Sequence, residues 1–163
     1  MPRTIIGIMG PGDKATEDDL RNAYEIGKLS AQAGYIVLTG GRPSGVMDAG
    51  LRGAKEAGGQ TLGILPFKTK DDTSPFADII VVTGLNSARN FVNALTSDVV
   101  VACGVEAGTL SEIALALKEN KPVVLMTQNR KAQEFLAELE PSLVHVARNV
   151  DDAMAAIRKI LSK

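Results

Sequence analysis

The sequence predicts an α/β fold in which a mostly parallel sheet of about seven strands lies between two layers of helices. Short apolar runs rich in Val and Ile alternate along the chain with longer segments whose apolar residues recur every three or four positions. The runs lack polar alternation, which is typical of strands that are covered on both faces. Regular alternation of strand and helix indicates parallel strands joined by right-handed crossovers. We therefore expect a Rossmann-like three-layer sandwich, formed as one domain over residues 1–163.

The individual elements follow from these two patterns. The predicted strands are residues 4–9, 35–38, 61–65, 78–82, 98–103, 122–126 and 143–146. The predicted helices are residues 18–33, 44–57, 86–96, 109–119, 131–139 and 150–161. Residues 16–19, Thr-Glu-Asp-Asp, suggest a capping box at the start of the first helix. Gly34 and Gly58 fall where the first two helices should end.

One link breaks the alternation. Residues 66–77 are polar and bounded by prolines, so they do not suit a crossover helix. We interpret them as a mobile loop that carries the chain across the sheet. This places the point where the strand order reverses between the first and fourth strands, and open α/β sheets bind ligands beside such a point.

Composition and charge exclude several classes of function. Lys and Arg number 18 against 19 Asp and Glu, and this balance gives no general attraction to nucleic acid or to an anionic membrane. With one cysteine, Cys103, and one histidine, His145, the chain offers neither an intrachain disulfide nor a clustered metal site. Cys103 follows a Val-rich run and should be an unreactive core thiol. We expect a cytoplasmic protein whose partner is a small molecule, with neither nucleic acid nor a membrane as partner.

Four glycine-bearing turns follow predicted strands, so they should open at the same edge of the sheet. They lie at residues 7–12, at residues 40–45, at Gly84 and at residues 104–109. Glycine lets a backbone approach a ligand closely, and a helix N-terminus behind the turn offers free amides to a phosphate. Each turn alone is a weak signal, because neither a dinucleotide fingerprint nor a Walker motif is present. Their convergence predicts a site for a phosphorylated small molecule.

Two ionisable residues stand out in these turns. Arg89 lies in the first turn of a predicted helix, where a cation opposes the helix dipole and is an unusual choice for stability alone. Glu112 lies near the start of another helix, where a carboxylate is favourable in any case. Together they would place a guanidinium and a carboxylate at neighbouring strand ends, a suitable pair for a phosphorylated sugar or nucleotide.

The same residues carry a family resemblance. Residues 39–49, Thr-Gly-Gly-Arg-Pro-Ser-Gly-Val-Met-Asp-Ala, resemble the first glycine motif of the lysine-decarboxylase-like (LOG) superfamily. Residues 88–90, 97–98 and 108–112 resemble the arginine, Ser-Asp and Gly-Thr-x-x-Glu elements of its second half. In length and in residues 109–118 the chain is similar to the molybdenum cofactor carrier-like branch. That branch implies a Rossmann-like fold, a homo-oligomer (dimer or tetramer) and binding of a phosphate-bearing pterin, with the molybdenum cofactor as a bound ligand rather than a resident cofactor.

Three functions stay open at this point. The carrier interpretation takes as ligand-binding residues Gly10, Gly40, Gly41, Gly45, Met47, Arg89, Gly108, Thr109 and Glu112, and it includes no metal ligands. The alternative is a phosphoribohydrolase that releases the base from a nucleoside 5′-monophosphate. By family analogy, Arg89 would then steady the phosphoribosyl group and Glu112 would hold the ribose or the attacking water. A nucleotide-sensing regulatory domain is the third interpretation.

One departure from the family pattern bears on all of these. The Pro-Gly-Gly part of the last turn is replaced by Gly104, Val105 and Glu106. Val105 would be strained if its position required a positive φ. Glu106 brings a carboxylate into a loop that is expected to hold phosphate, where like charges repel. Either Glu106 points away from the site or it weakens phosphate binding.

Overall fold

A computed structural model of the chain describes residues 2–162 and confirms the α/β alternation. Within these residues seven strands form, namely β1 Ile5–Met9, β2 Ile36–Thr39, β3 Thr61–Leu65, β4 Ile79–Val82, β5 Val99–Cys103, β6 Val123–Met126 and β7 Val144–Val146. The helices are α1 Glu17–Gln32, α2 Gly45–Glu56, α3 Arg89–Thr96, α4 Ala107–Lys118, α5 Arg130–Leu139 and α6 Val150–Leu161. Each predicted strand and helix is present, with ends displaced by three residues at most. The largest displacement is at α3, because residues 86–88 form a separate 3₁₀ turn before it.

The strands form one parallel sheet in the order β4-β3-β2-β1-β5-β6-β7, and this order corrects one prediction. Residues 66–78 do not carry the chain to the other half of the sheet. They lead from β3 to its neighbour β4, which pairs with it in parallel, for example Leu62 opposite Ile79. The Thr61 hydroxyl donates to the Phe76 carbonyl (2.6 Å) and accepts from the Asp78 amide (2.9 Å), which ties the start of β4 to the start of β3.

The crossing is instead made by the segment that contains α3. It runs from β4 at one edge of the sheet to β5 beside β1. The order therefore reverses between the first and fifth strands, not between the first and fourth. The predicted type of site is unchanged, but the strand ends that flank it are those of β1 and β5.

Both faces of the sheet are covered, as the continuous apolar runs predict. In β5, Val99, Val101 and Cys103 point into one core cluster while Val100 and Ala102 point into the other. The first cluster packs beneath α1, α2 and α6, and the second beneath α3, α4 and α5. Cys103 is fully buried and burial raises the pKa of its thiol, so it is an unreactive core cysteine as expected.

The helix N-termini fall into two groups. The predicted capping box of α1 is present, with Thr16 accepting from the Asp19 amide, and Asn129 and Asn149 cap α5 and α6 in the same way. Among residues 2–162, the side chains at the capping positions of α2, α3 and α4, namely Ser44, Ala88 and Glu106, accept no hydrogen bond from their own helix. A side-chain cap satisfies one of the amides that a helix leaves unpaired at its start. In α2 the Val46 amide donates to the Pro11 carbonyl (3.0 Å), and α3 continues the 3₁₀ turn of residues 86–88. Within the described residues, the helix start left for other partners is therefore that of α4.

No helix within residues 2–162 combines the length and the apolar character that crossing a bilayer requires.

Candidate functional site

A cavity of about 500 Å³ opens at the carboxyl edge of the sheet, at the ends of β1 and β5, where the strand order reverses. Its volume is in the range of small-molecule sites in proteins. It brings together seven of the nine predicted binding residues, namely Gly10, Gly40, Met47, Arg89, Gly108, Thr109 and Glu112. The turn at Gly84 contributes differently from expectation, because its neighbours Asn86 and Ser87 line the cavity and the glycine itself does not.

Gly41 and Gly45, the other two predicted residues, lie behind the cavity wall. Gly45 has a φ of 54°, and a Cβ on it would lie 2.2 Å from the Gly12 carbonyl oxygen. A Cβ on Gly41 would lie 3.0 Å from the Gly63 Cα atom. These two glycines let neighbouring loops and strands pack closely, so their contribution to the site is indirect.

Gly40 and Gly10 line the cavity, but the protein's own atoms account for their lack of a side chain. A Cβ on Gly40 would lie 2.0 Å from Arg89 Nη1, and one on Gly10 would lie 2.3 Å from the Cys103 carbonyl oxygen. Gly108 differs, since the nearest atom to its added Cβ is Asn90 Nδ2 at 4.0 Å. Of these three positions, Gly108 is the one that leaves backbone open to a ligand.

Arg89 is the buried cation of the site. Its side chain is only 8% exposed, and Nη1 donates to the carbonyl oxygens of Gly40 (2.8 Å) and Ile64 (3.0 Å). Within the described chain, its Nε is buried without a hydrogen-bond partner. Burial lowers the pKa of the guanidinium, and the charge of Glu112 opposes that shift. Arginine still remains protonated at neutral pH, so the cavity contains a fixed cation with a donor to spare.

Glu112 is the buried acid of the site. It is 8% exposed, and its Oε1 accepts a hydrogen bond from Asn93 Nδ2 at 2.9 Å. Burial raises its pKa to about 7, although the bond from Asn93 and the charge of Arg89 pull the other way. The carboxyl group therefore exchanges a proton near neutral pH.

Thr109 lies in the first turn of α4 and is 1% exposed. Thr109 lines the cavity, and its buried hydroxyl has no hydrogen-bond partner among residues 2–162. An unsatisfied buried hydroxyl costs about 1–3 kcal/mol, so its partner is expected to come from outside the chain. The same turn contains the uncapped amides of α4, which favour an anion.

The departure at residues 104–106 is resolved in part. Gly104, not Val105, takes the left-handed conformation, with a φ of 83°, so Val105 is unstrained. Glu106 does not point away. Its side chain lines the cavity, and its Oε1 accepts a hydrogen bond from the Gly12 amide at 3.3 Å.

Several residues that line the cavity were not predicted from the sequence. The guanidinium of Arg42 stacks over the ring of Phe67 at the cavity wall, with 5.7 Å between the guanidinium carbon and the ring centre. Arg42 Nε also donates to Asp72 (2.9 Å). Lys14 adds a further cation. Phe67 follows β3, whose end has no glycine turn. The rule that ligands bind at strand ends could have identified it, whereas a search for glycines could not.

Fold and cavity together define a Rossmann-like α/β protein with a pocket at the switch point of its sheet, where such proteins bind small molecules. A family model described as the SLOG cluster4 family matches residues 3–154. The chain belongs to the SLOG cluster4 family.

Solved structures and a curated protein sequence are similar to the chain over most of its length. The chain is similar to a molybdenum cofactor binding protein from Rippkaea orientalis, with 49% identity, a TM-score of 0.97 and 99% of each chain covered. It is also similar to a Moco carrier protein from Chlamydomonas reinhardtii, with 50% identity, a TM-score of 0.93 and 99% of each chain covered. A protein from Archaeoglobus fulgidus is 44% identical over 118 residues, which cover 72% of this chain and 76% of that protein.

Proposed function

We propose that this protein is a carrier-type binding protein for the molybdenum cofactor, a phosphorylated pterin, which it holds in the cavity between β1 and β5. The observation that carries the proposal is that two cavity-lining residues each have a buried polar atom without a partner among residues 2–162, namely Arg89 Nε and Thr109 Oγ1. A donor and a hydroxyl left without partners in the chain fit an anionic or polar ligand group. Similarity at 49% and 50% identity to proteins described as molybdenum cofactor binding and carrier proteins supports this choice of ligand.

Three kinds of chemical group line the cavity and could contact the ligand. Arg89, Arg42 and Lys14 supply positive charge, and the uncapped first turn of α4 with Gly108 supplies open backbone. Met47 adds an apolar wall against which a flat ring can pack. The molybdenum atom arrives with the pterin as cargo and is not a resident metal of the protein.

The direct experiment is an anaerobic titration of the protein with the cofactor and with its metal-free phosphorylated pterin. Removing the phosphate from that pterin provides a matched control ligand with the same ring. We expect at least tenfold weaker binding of the dephosphorylated form, because it loses the charge-assisted bonds. Equal binding of the two forms, or no binding of either, would contradict the proposal.

The second candidate function is the phosphoribohydrolase, and one observation favours it. Glu112 combines burial, a cavity position and a pKa of about 7, which suits a residue that takes a proton from water at neutral pH. Incubation with AMP and related monophosphates, followed by chromatography of the free base, separates the two functions. Base release that disappears in Glu112→Gln would establish the enzyme, and its absence from the wild type would exclude these substrates.

We also propose that the chain is a cytoplasmic homo-oligomer. Four exposed apolar side chains come from the chain around α3 and from α4, namely Leu85, Phe91, Leu95 and Leu110. All but Leu95 directly adjoin, in sequence, a residue that lines the cavity. A second copy of the chain would remove this surface from water. Sedimentation at micromolar concentration tests the assembly, and a monomer there would contradict it.

A further inference from the structure

The side chain of Glu106 reaches across one end of the cavity. It lies at the N-cap position of α4, yet within the described residues it makes no capping bond to its own helix. Its Oε1 accepts instead from the backbone amide of Gly12, in the loop after β1, at 3.3 Å. Both residues line the cavity. At that length the bond is beyond the usual range of about 2.7–3.2 Å, so it is weak and open to exchange.

The groups around this carboxylate are those that favour an anion. The open N-terminal turn of α4 includes the unpartnered Thr109 hydroxyl, and Arg89 has its unpartnered Nε on the same cavity. Glu106 is close enough to the interior that its charge contributes to the raised pKa of Glu112. A carboxylate in this position makes the contact that an anionic group of a ligand would make.

We propose that Glu106 is an internal occupant of the anion subsite, and that its carboxylate leaves the Gly12 amide when a ligand phosphate enters. The proposal rests on the proposed function for the identity of the ligand, but not for the exchange itself. Any tetrahedral anion that reaches the Gly12 amide must displace the carboxylate or bind against its charge. Glu106 thereby lowers the affinity for every anionic ligand of this subsite and leaves neutral ligands unaffected. The family resemblance expects glycine at this position.

The test is a calorimetric titration with sulfate, which stays a dianion across the working pH range. Glu106→Gln keeps the size of the side chain and an acceptor for the Gly12 amide, but it removes the charge. We expect sulfate to bind at least tenfold more tightly to this variant, because the substitution removes a like charge from beside the anion. Glu106→Ala, which also removes the occupant, should bind sulfate at least as tightly as Glu106→Gln.

The matched control is Glu119→Gln, an exposed carboxylate at the other end of α4. It changes the net charge by the same amount but should leave sulfate affinity unchanged. Equal sulfate affinity in the wild type, Glu106→Gln and Glu106→Ala would overturn the proposal. Weaker binding by the Glu106 variants, or no sulfate binding by any of them, would overturn it as well.

A parallel titration with the phosphorylated pterin separates this proposal from the proposed function. We expect Glu106→Gln to tighten that ligand by a factor similar to sulfate, and to leave the dephosphorylated pterin unchanged. If sulfate tightens and no pterin binds, the role of Glu106 stands and the carrier function fails. If the phosphorylated pterin binds and sulfate affinity does not change, the carrier function stands and the role of Glu106 fails.

Discussion

The helix N-termini at the cavity and those away from it are built differently. Away from it, α1, α5 and α6 are closed by their own side chains, Thr16, Asn129 and Asn149. At the cavity, α2, α3 and α4 lack such caps within residues 2–162, and residues at or near their starts line the cavity wall. Capping satisfies a helix with the chain alone, whereas an open end keeps amides for a partner. The start of α4 thus lacks the stability that a side-chain cap would add, at the place where a ligand is expected to bind.

Buried polar groups follow the same division, with one exception. Among residues 2–162, four buried side-chain polar atoms lack a hydrogen-bond partner, and two of them, Arg89 Nε and Thr109 Oγ1, belong to cavity-lining residues. A third, Asn93 Oδ1, belongs to the side chain that donates to Glu112. The exception is Ser30 Oγ on α1, for which the fold gives no ligand.

The largest expected effect is at Arg89, where binding and folding depend on one side chain. Arg89→Met leaves the buried carbonyls of Gly40 and Ile64 without their donor, at about 2 kcal/mol each. We expect the free energy of unfolding to fall by about 4 kcal/mol and phosphorylated pterin to bind at least a hundredfold more weakly. Urea denaturation and calorimetry measure the two quantities. Arg158→Met, an exposed arginine on α6, is the control and should change stability by less than about 0.5 kcal/mol.

Glu112 gives the next largest effect, and it appears as a pH dependence. Its pKa is raised in the folded protein from 4.5 to about 7, so its contribution to stability is complete below about pH 4.5 and is lost as the pH rises through 7. A shift of this size corresponds to about 3 kcal/mol. Glu112→Gln, which stays neutral, should match the wild type near pH 4.5 and exceed its stability by up to about 3 kcal/mol at pH 8.5.

A carboxylate on the self-capped side serves as the control for that experiment. Arg148 lowers the pKa of Asp152, whose charge is therefore constant between pH 5 and 8.5. The stability difference between Asp152→Asn and the wild type should stay flat over that interval. If the stability difference between Glu112→Gln and the wild type is also flat, burial does not raise the pKa of Glu112.

The fold was predictable from the sequence because its signals are local. Each strand of the central sheet is a short apolar run, and each helix shows its own period, so the succession of elements along the chain and the parallel arrangement of the strands follow. The path of residues 66–78 was not predictable. Its outcome depends on the pairing of β3 with β4 and on the bonds between Thr61 and Asp78, which join residues 17 positions apart.

The candidate site was predictable in part for the same reason. Glycine turns and the positions of Arg89 and Glu112 mark strand ends and helix starts, which can be recognised locally. The sequence does not reveal that a side chain at Gly40 would collide with Arg89, or that Glu106 reaches Gly12. These relations join residues 49 and 94 positions apart and exist only in the folded chain.

A smaller effect on stability is expected from removing the side chain at a helix N-cap. Asn149→Ala deletes the bond to the Asp152 amide and should lower stability by about 1 kcal/mol. Ser44→Ala occupies the equivalent position of α2, but Ser44 bonds the exposed Asp13 rather than its own helix. Its expected cost is below about 0.5 kcal/mol. Thermal melting of the two variants measures the difference, and equal losses would contradict the division into capped and open ends.

Thr109→Val should leave the stability unchanged or raise it slightly, and it tests whether the open start of α4 is kept for a ligand. The substitution removes a buried hydroxyl that has no partner within residues 2–162 and keeps the shape of the side chain. Thr61→Val is the matched control, because the Thr61 hydroxyl is equally buried but bonded to Phe76 and Asp78. The quantities to measure in both variants are the free energy of unfolding and the affinity for phosphorylated pterin.

For Thr109→Val, the account predicts unchanged or slightly higher stability, by up to about 1 kcal/mol, together with about tenfold weaker binding. For Thr61→Val it predicts a stability loss of about 2 kcal/mol with unchanged binding. If Thr109→Val instead destabilises the protein as much as Thr61→Val and binds the pterin as tightly as the wild type, the hydroxyl serves the fold. The claim that the open start of α4 is kept for a ligand would then be wrong.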